Sequence, residues 1–137
     1  VPYTVDSSGS GTVISLSAKS REELVRDLVT AVLEAAYGGA SASAAAEGQI
    51  VPIQATGGED AELLTNLAAD TLRAVRDTRG MVLPPRWLAF DEKRVTAMLP
   101  VAGDAATSRV FLPQNAVVER PLPDFRGRIE LQLVSAR

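Results

Sequence analysis

Glu59, Asp60 and Glu62 form the densest acid group in the 137-residue sequence, which makes them the first candidates for metal chemistry. A divalent cation needs several oxygen ligands converging on one point. Residues two apart on a helix do not face each other, so Asp60 and Glu62 cannot close on an ion by themselves. The simpler reading is the acidic start of a helix, where the backbone dipole favours negative charge. A second stretch, Ser7-Ser-Gly-Ser-Gly11, has the small residues of a phosphate cradle. It fits neither phosphate-binding fingerprint, and it precedes a strand where both fingerprints precede a helix. It is read as a flexible turn. Arg109, Arg120, Arg126 and Arg128 tint the C-terminal third basic and put cations within reach of an RNA or an acidic partner. Few aromatics are interleaved for base stacking, and the net charge is -3, so no general nucleic-acid footprint is indicated. Solvated strand faces account for these arginines.

Two absences decide more than any motif. The chain has no cysteine and no histidine. Disulfides, thiolate metal sites and thiol nucleophiles are excluded, and so is every mechanism that needs an imidazole base or ligand. The remaining carboxylates, lysines, tyrosines and hydroxyls make no recognisable catalytic set. The expectation is a protein without catalytic residues, metal ligands or cofactor.

The elements that must position any site follow from patterning. Hydrophobic residues make up 46% and charged residues 23%, a globular balance that argues against disorder over the whole chain. The length suits one domain covering 1–137. No stretch nears the roughly 20 apolar residues that span a bilayer, and Val1-Pro2-Tyr3 shows no secretory pattern. A cytoplasmic location without a membrane partner is expected.

Thr12 to Ala18 alternates as a half-buried strand, with Ile14 and Leu16 inward, and Pro2 to Val5 suits a short strand before it. Ser20 and Glu23 have capping-box spacing, and Leu24, Val25, Leu28, Val29, Val32 and Ala36 follow at helical period until Gly38-Gly39. Ala40 to Ala46 is expected to be a mobile loop. Ile50 to Ala55 is β-branched, and Pro52 consigns it to an edge or a bulge. A second amphipathic helix carries Leu63, Leu64, Leu67, Ala68, Leu72 and Val75 and closes at Asp77-Thr-Arg-Gly80. Trp87 to Phe90 and Val95 to Val101 flank a polar hairpin turn, and Trp87 and Phe90 are expected to be core anchors. Gly103 to Ser108 reads as a loop, Ala116 to Glu119 as a short strand, and Arg128 to Ser135 as the last strand. The sum is an α+β fold: a mixed or antiparallel sheet with two amphipathic helices packed on one face.

This order of elements resembles the archease family. Ser20-Arg-Glu-Glu-Leu24 is similar to the family's (S/T)-x-E-E start of its first helix. Glu62-Leu-Leu-Thr-Asn-Leu-Ala-Ala-Asp-Thr-Leu72 is similar to its second helix, and Gly127 to Val134 to its last strand, so the likeness covers nearly the whole chain. The resemblance implies a small cytoplasmic protein that assists a tRNA-splicing RNA ligase and holds a divalent metal between acidic side chains. The family's Asp-His-Thr-Ala-Asp segment falls on Ser7 to Gly11, where both acids and the histidine are missing; Asp6 reaches it only by a one-residue slip. The family's Lys-Ala-Val-Thr-Tyr-His falls on Asn115 to Arg120, putting Arg120 in the histidine's place, and Leu133-Val-Ser135 lacks the closing aspartate.

The expectation is therefore a divergent archease-like accessory or protein-interaction domain that has lost the family's metal site. Its partner is a protein, with an RNA ligase as one candidate, and direct nucleic-acid binding is left open. Asp6, Ser7, Ser8 and Arg120 are the candidate partner-binding residues. Two alternatives stand beside it. One is a metal-dependent ligase cofactor that uses Asp6, Asp124 or the helix-start acids. The other is a small-molecule-binding α+β domain with an enclosed pocket holding perturbed carboxylates or lysines.

Overall fold

The computed structural model describes residues 3–8, 11–38, 45–78, 80–105, 108–119 and 124–136. β1 (Tyr3–Ser8) and β2 (Gly11–Ala18) form a hairpin, followed by α1 (Arg21–Tyr37), β3 (Ala45–Thr56) and α2 (Asp60–Asp77). β4 (Gly80–Val82), β5 (Trp87–Asp91), β6 (Arg94–Ala105), β7 (Arg109–Glu119) and β8 (Phe125–Ala136) complete the chain. The α+β class and the antiparallel pairing agree with the sequence reading. The strands, however, form two sheets: β1-β2-β8-β7, and β3-β6-β4 with β5 also paired to β6.

Both helices start as their sequences dictate, with one shift. Ser20 Oγ accepts from the Glu23 N–H at 3.2 Å, while the Glu23 carboxylate reaches past Ser20 to accept from the Lys19 N–H at 3.1 Å. Gly38 ends α1 at φ 65, a left-handed turn that glycine takes without a Cβ penalty. The second helix ends differently from the expectation. Its C-cap is Thr78 in extended conformation, and Gly80 instead opens β4. A Cβ at Gly80 would run into the Ala102 carbonyl oxygen and lie 2.6 Å from Val101 Cγ1, so the glycine serves a close strand approach.

The apolar faces meet in one core. Ile14, Leu16, Ile129 and Leu131 come from the first sheet, and Ile53, Val95, Ala97 and Leu99 from the second, with Leu28, Val32, Leu64 and Leu67 from the helices between. Tyr37 ties the end of α1 to the second sheet, its buried phenol oxygen accepting from the Val82 N–H at 2.9 Å. Arg21 ties the helix starts together. It donates to Asp60 Oδ1 at 2.6 and 3.1 Å and to the Glu92 carbonyl at 2.8 Å, and it lies 5.1 Å from the centroid of the Phe90 ring.

Several expectations change. Asp6 to Ser8 belong to β1 and not to a turn. The expected loop at 40–46 falls mostly outside the described residues, and the strand already begins at Ala45. Trp87 is 52% exposed, because strand alternation gives the inward position to Leu88. β6 runs on to Ala105 through the expected loop, and β7 is eleven residues long, not four. Its signal was hidden by Pro113 and by Asn115 at φ 53, where the pairing with β8 shifts register.

Gly80→Ala is expected to destabilise the fold by about 1–3 kcal/mol through overpacking. Gly58→Ala, which meets nothing within 4 Å, should stay within about 0.5 kcal/mol of the parent. Urea midpoints of the two variants check this, and equal midpoints would contradict the strand approach.

Candidate functional site

The strand registers bring the β1–β2 tip to one end of the first sheet. Ser8 pairs with Gly11, Ser7 with Thr12 and Asp6 with Val13; on the far side of β2, Gly11 pairs with Gln132 and Thr12 with Leu131. Pleat alternation then sorts the side chains. Thr12 is buried, and its Oγ1 shares a 3.0 Å hydrogen bond with Ser7 Oγ, which satisfies both hydroxyls. Asp6 is exposed on the opposite face, in one row with Val13 and Glu130. Leu133, partly buried, pairs with Phe111, while Val134 is 55% exposed. This end therefore presents hydroxyls and apolar side chains on the face of Ser7 and Thr12, with the carboxylates of Asp6 and Glu130 on the opposite face.

Arg120 lies outside the described residues. Its neighbour Glu119 pairs with Arg126, six positions along β8 from Gln132, which is roughly 20 Å at strand rise. The remaining arginines do not form one patch. Arg126 and Arg128 are exposed on β8, and Arg128 lies 3.6 Å from Glu130; Arg109 sits near the other end of β8, paired with Ala136.

The other acids are dispersed as well. Asp124 directly precedes Phe125, which pairs with Ala18, so it sits at the end of the sheet away from Asp6. Asp60 is taken by Arg21, and Glu62 accepts from the Gly58 N–H at 3.4 Å. Among the described residues no three His, Cys, Asp or Glu side chains come together as a metal site. Asp27 is raised above the usual carboxylate range, first by burial and then by Glu23. Tyr3 is raised by burial and by the charges of Glu34 and Asp27 across from it on α1.

One concavity escaped the sequence reading. A cavity of about 260 Å³ separates α2 from β7. Its walls are Leu72 and Val75 on the helix and Phe111, Leu112 and Pro113 on the strand, with Arg73, Arg76 and Arg109 around it. The only sequence hint was the Val-Phe-Leu run inside β7.

With this geometry in view, the fold is that of the archeases. The solution structure of Methanobacterium thermoautotrophicum protein 1598 superposes with a TM-score of 0.66 over 96% of this chain and 99% of its own, at 14% identity. The crystal structure of an archease and possible chaperone from Thermotoga maritima superposes with a TM-score of 0.59 over 88% of each chain, at 10% identity. No family model and no curated protein matches by sequence. No helix among the described residues is long and apolar enough to cross a membrane.

Burial raises the Tyr37 phenol above its ordinary value, outweighing the opposing effect of the Val82 N–H bond. A raised folded-state value means stability present below the unfolded value of about 10 and lost as pH climbs through the folded one. Tyr37→Phe is expected to lose about 1–3 kcal/mol at pH 7 by stranding the Val82 N–H. It should also show a shallower alkaline loss than the parent, with Tyr3 supplying the remainder. Urea midpoints across that pH range check both; an unchanged alkaline slope would exclude Tyr37 as a source.

Proposed function

We propose that residues 1–137 form one archease-like accessory domain that works in the cytoplasm by binding a protein partner and carries out no chemistry of its own. The observation that supports this most is the β1–β2 tip. At Ser7, where the family resemblance calls for an acid, the hydroxyl is bonded to Thr12 Oγ1 at 3.0 Å, and the adjoining end of β8 carries Leu131, Gln132, Leu133 and Val134. A hard cation is held by converging charged oxygens, and hydroxyls already bonded to each other beside leucines do not supply them. On this reading the scaffold is kept and the metal-dependent step is not.

The proposed partner belongs to RNA processing, with a tRNA-splicing RNA ligase as the first candidate. Asp6, Ser7 and Ser8 on β1, together with Arg120, are the residues proposed to contact it. Asp6 is the most informative of them, because it is an exposed charge on the solvent face of the hairpin.

Affinity capture from the native host, with and without ribonuclease, tests the partner. The expected outcome is an RNA ligase recovered with the wild-type chain and depleted with Asp6→Lys. Calorimetric titration with calcium and magnesium tests the lost metal step, and no heat is expected at millimolar ion. Heat of binding, or capture that appears only when an ion is added, would instead support the alternative of a cofactor with rearranged acidic ligands. Recovery of no RNA-processing protein under any condition would end the accessory reading.

A further inference from the structure

The cavity between α2 and β7 has no part in the accessory role proposed above. We infer that it is a binding site for a small organic anion: one terminal carboxylate carried on an apolar body. The helix α2 meets the two strands beside it differently. Toward β3 the helix is sealed. Asn66 Nδ2 donates to the Thr56 carbonyl at 2.7 Å, Asp70 Oδ2 accepts from the Gln54 N–H at 2.7 Å, and Arg73 Nη2 donates to the Pro52 carbonyl at 3.4 Å. Toward β7 the helix lies as close, but no side-chain hydrogen bond among the described residues seals the contact, and about 260 Å³ is left open there.

The chemistry of that space is one-sided. Phe111, Val75 and Leu72 are buried and form its inner wall, while Leu112, 59% exposed, stands on its outer strand. An apolar wall excludes a bare inorganic ion and favours a hydrocarbon body, each buried methylene tightening binding about fourfold. Among the described residues, the charged groups that line the space are all arginines, with no carboxylate. Arg73 is engaged by Asp70 at 2.8 Å and by the Pro52 carbonyl, so its guanidinium is turned to the β3 side. Arg76 lies 3.4 Å from Asp77. Arg109 is exposed on the lining and, among the described residues, is held in no ion pair; its Nη2 reaches to 3.6 Å from where a Cβ on Gly38 would lie, so it is not locked in place. Of the three, Arg109 is therefore the cation best placed to receive a carboxylate, through the planar fork that pairs with two carboxylate oxygens.

Size limits the ligand. Pockets for drug-sized ligands run from about 300 Å³ upward, so this space suits a body of roughly eight carbons and excludes a long lipid chain. A base-stacking ligand is disfavoured, since the aromatic that the described residues put on the wall is Phe111 alone, which is 4% exposed and packed in the core. The shared chemistry, a carboxylate on an apolar body, is found both in free organic acids and in a peptide chain ending in leucine.

The test is an amide-resolved NMR titration of the intact chain with octanoate, with octan-1-ol, and with a tripeptide ending in leucine as the free acid or the amide. Saturable shifts are expected at Ala69, Leu72, Phe111 and Leu112 with octanoate, and binding about tenfold weaker with octan-1-ol. Arg109→Gln should weaken octanoate about tenfold at an unchanged melting temperature. Ala69→Trp, placed at an exposed helical position on the rim, should abolish binding without touching the core. Displacement of octanoate by the tripeptide acid and not by its amide assigns the site to a chain terminus; failure to displace assigns it to a free acid. No saturation by roughly 10 mM of any ligand, equal binding of octanol and octanoate, or shifts that map elsewhere would each overturn the inference.

Discussion

Everything in this molecule depends on α2 lying between two sheets whose described strands do not pair with one another. The first sheet ends on β7 and the second on β3, and the helix runs beside both. Its buried side, from Leu63 and Leu64 through Leu67 to Leu72 and Val75, joins the two sheets into one apolar core. Its flank supplies the polar groups that the outer edge of β3 lacks. Asn66, Asp70 and Arg73, spaced four and three apart along the helix, meet Thr56, Gln54 and Pro52 at every second residue of the strand. An edge strand left bare would offer its backbone to another chain, and here three side chains occupy those positions. Pro52 fits the same logic. Its missing donor falls on the row of backbone groups that faces α2, so pairing with β6 is unaffected.

The two ends of this arrangement have opposite characters. At the helix starts, Arg21 draws Asp60, the Glu92 carbonyl and the Phe90 ring to one guanidinium, fixing α1, α2 and the β5–β6 hairpin against each other. These groups are only partly exposed, 24% for Arg21 and 16% for Asp60, so the pair is less screened than a surface ion pair. At the helix ends, Tyr37 ties α1 to Val82 of the second sheet, while Ser7 bonds Thr12 within the β1–β2 hairpin. That end carries the hairpin tip and the cavity beside β7.

The same division explains how the candidate site was legible. The family's acid- and histidine-bearing motif falls on Ser7 to Gly11, with Asp6 adjacent, and that comparison needs only sequence position. The cavity was invisible because its residues come from α2 and from β7, some forty positions apart in the chain. Neither segment alone looks like a binding element. Leu72 and Val75 are ordinary helix-core residues, and Arg109 belongs in sequence to a basic stretch whose Arg126 and Arg128 the register places elsewhere along β8. The alternative of an enclosed pocket anticipated perturbed carboxylates or lysines, whereas the cavity is rimmed by arginines, whose charge is not set by burial.

What the chain determined unaided is what depends on neighbours in sequence. Helix starts at Ser20, the apolar stripe of α2, the left-handed end at Gly38 and the alternation of β2, β6 and β8 all follow from spacing, because backbone geometry repeats every few residues. Tertiary structure decided the rest: that the strands divide into two sheets, that Leu88 and not Trp87 turns inward, that Gly80 is needed against β6, and that β7 runs through Pro113 and Asn115. Each of these turns on which backbone lies alongside which, and strand pairing joins residues too far apart in the chain for any local pattern to record.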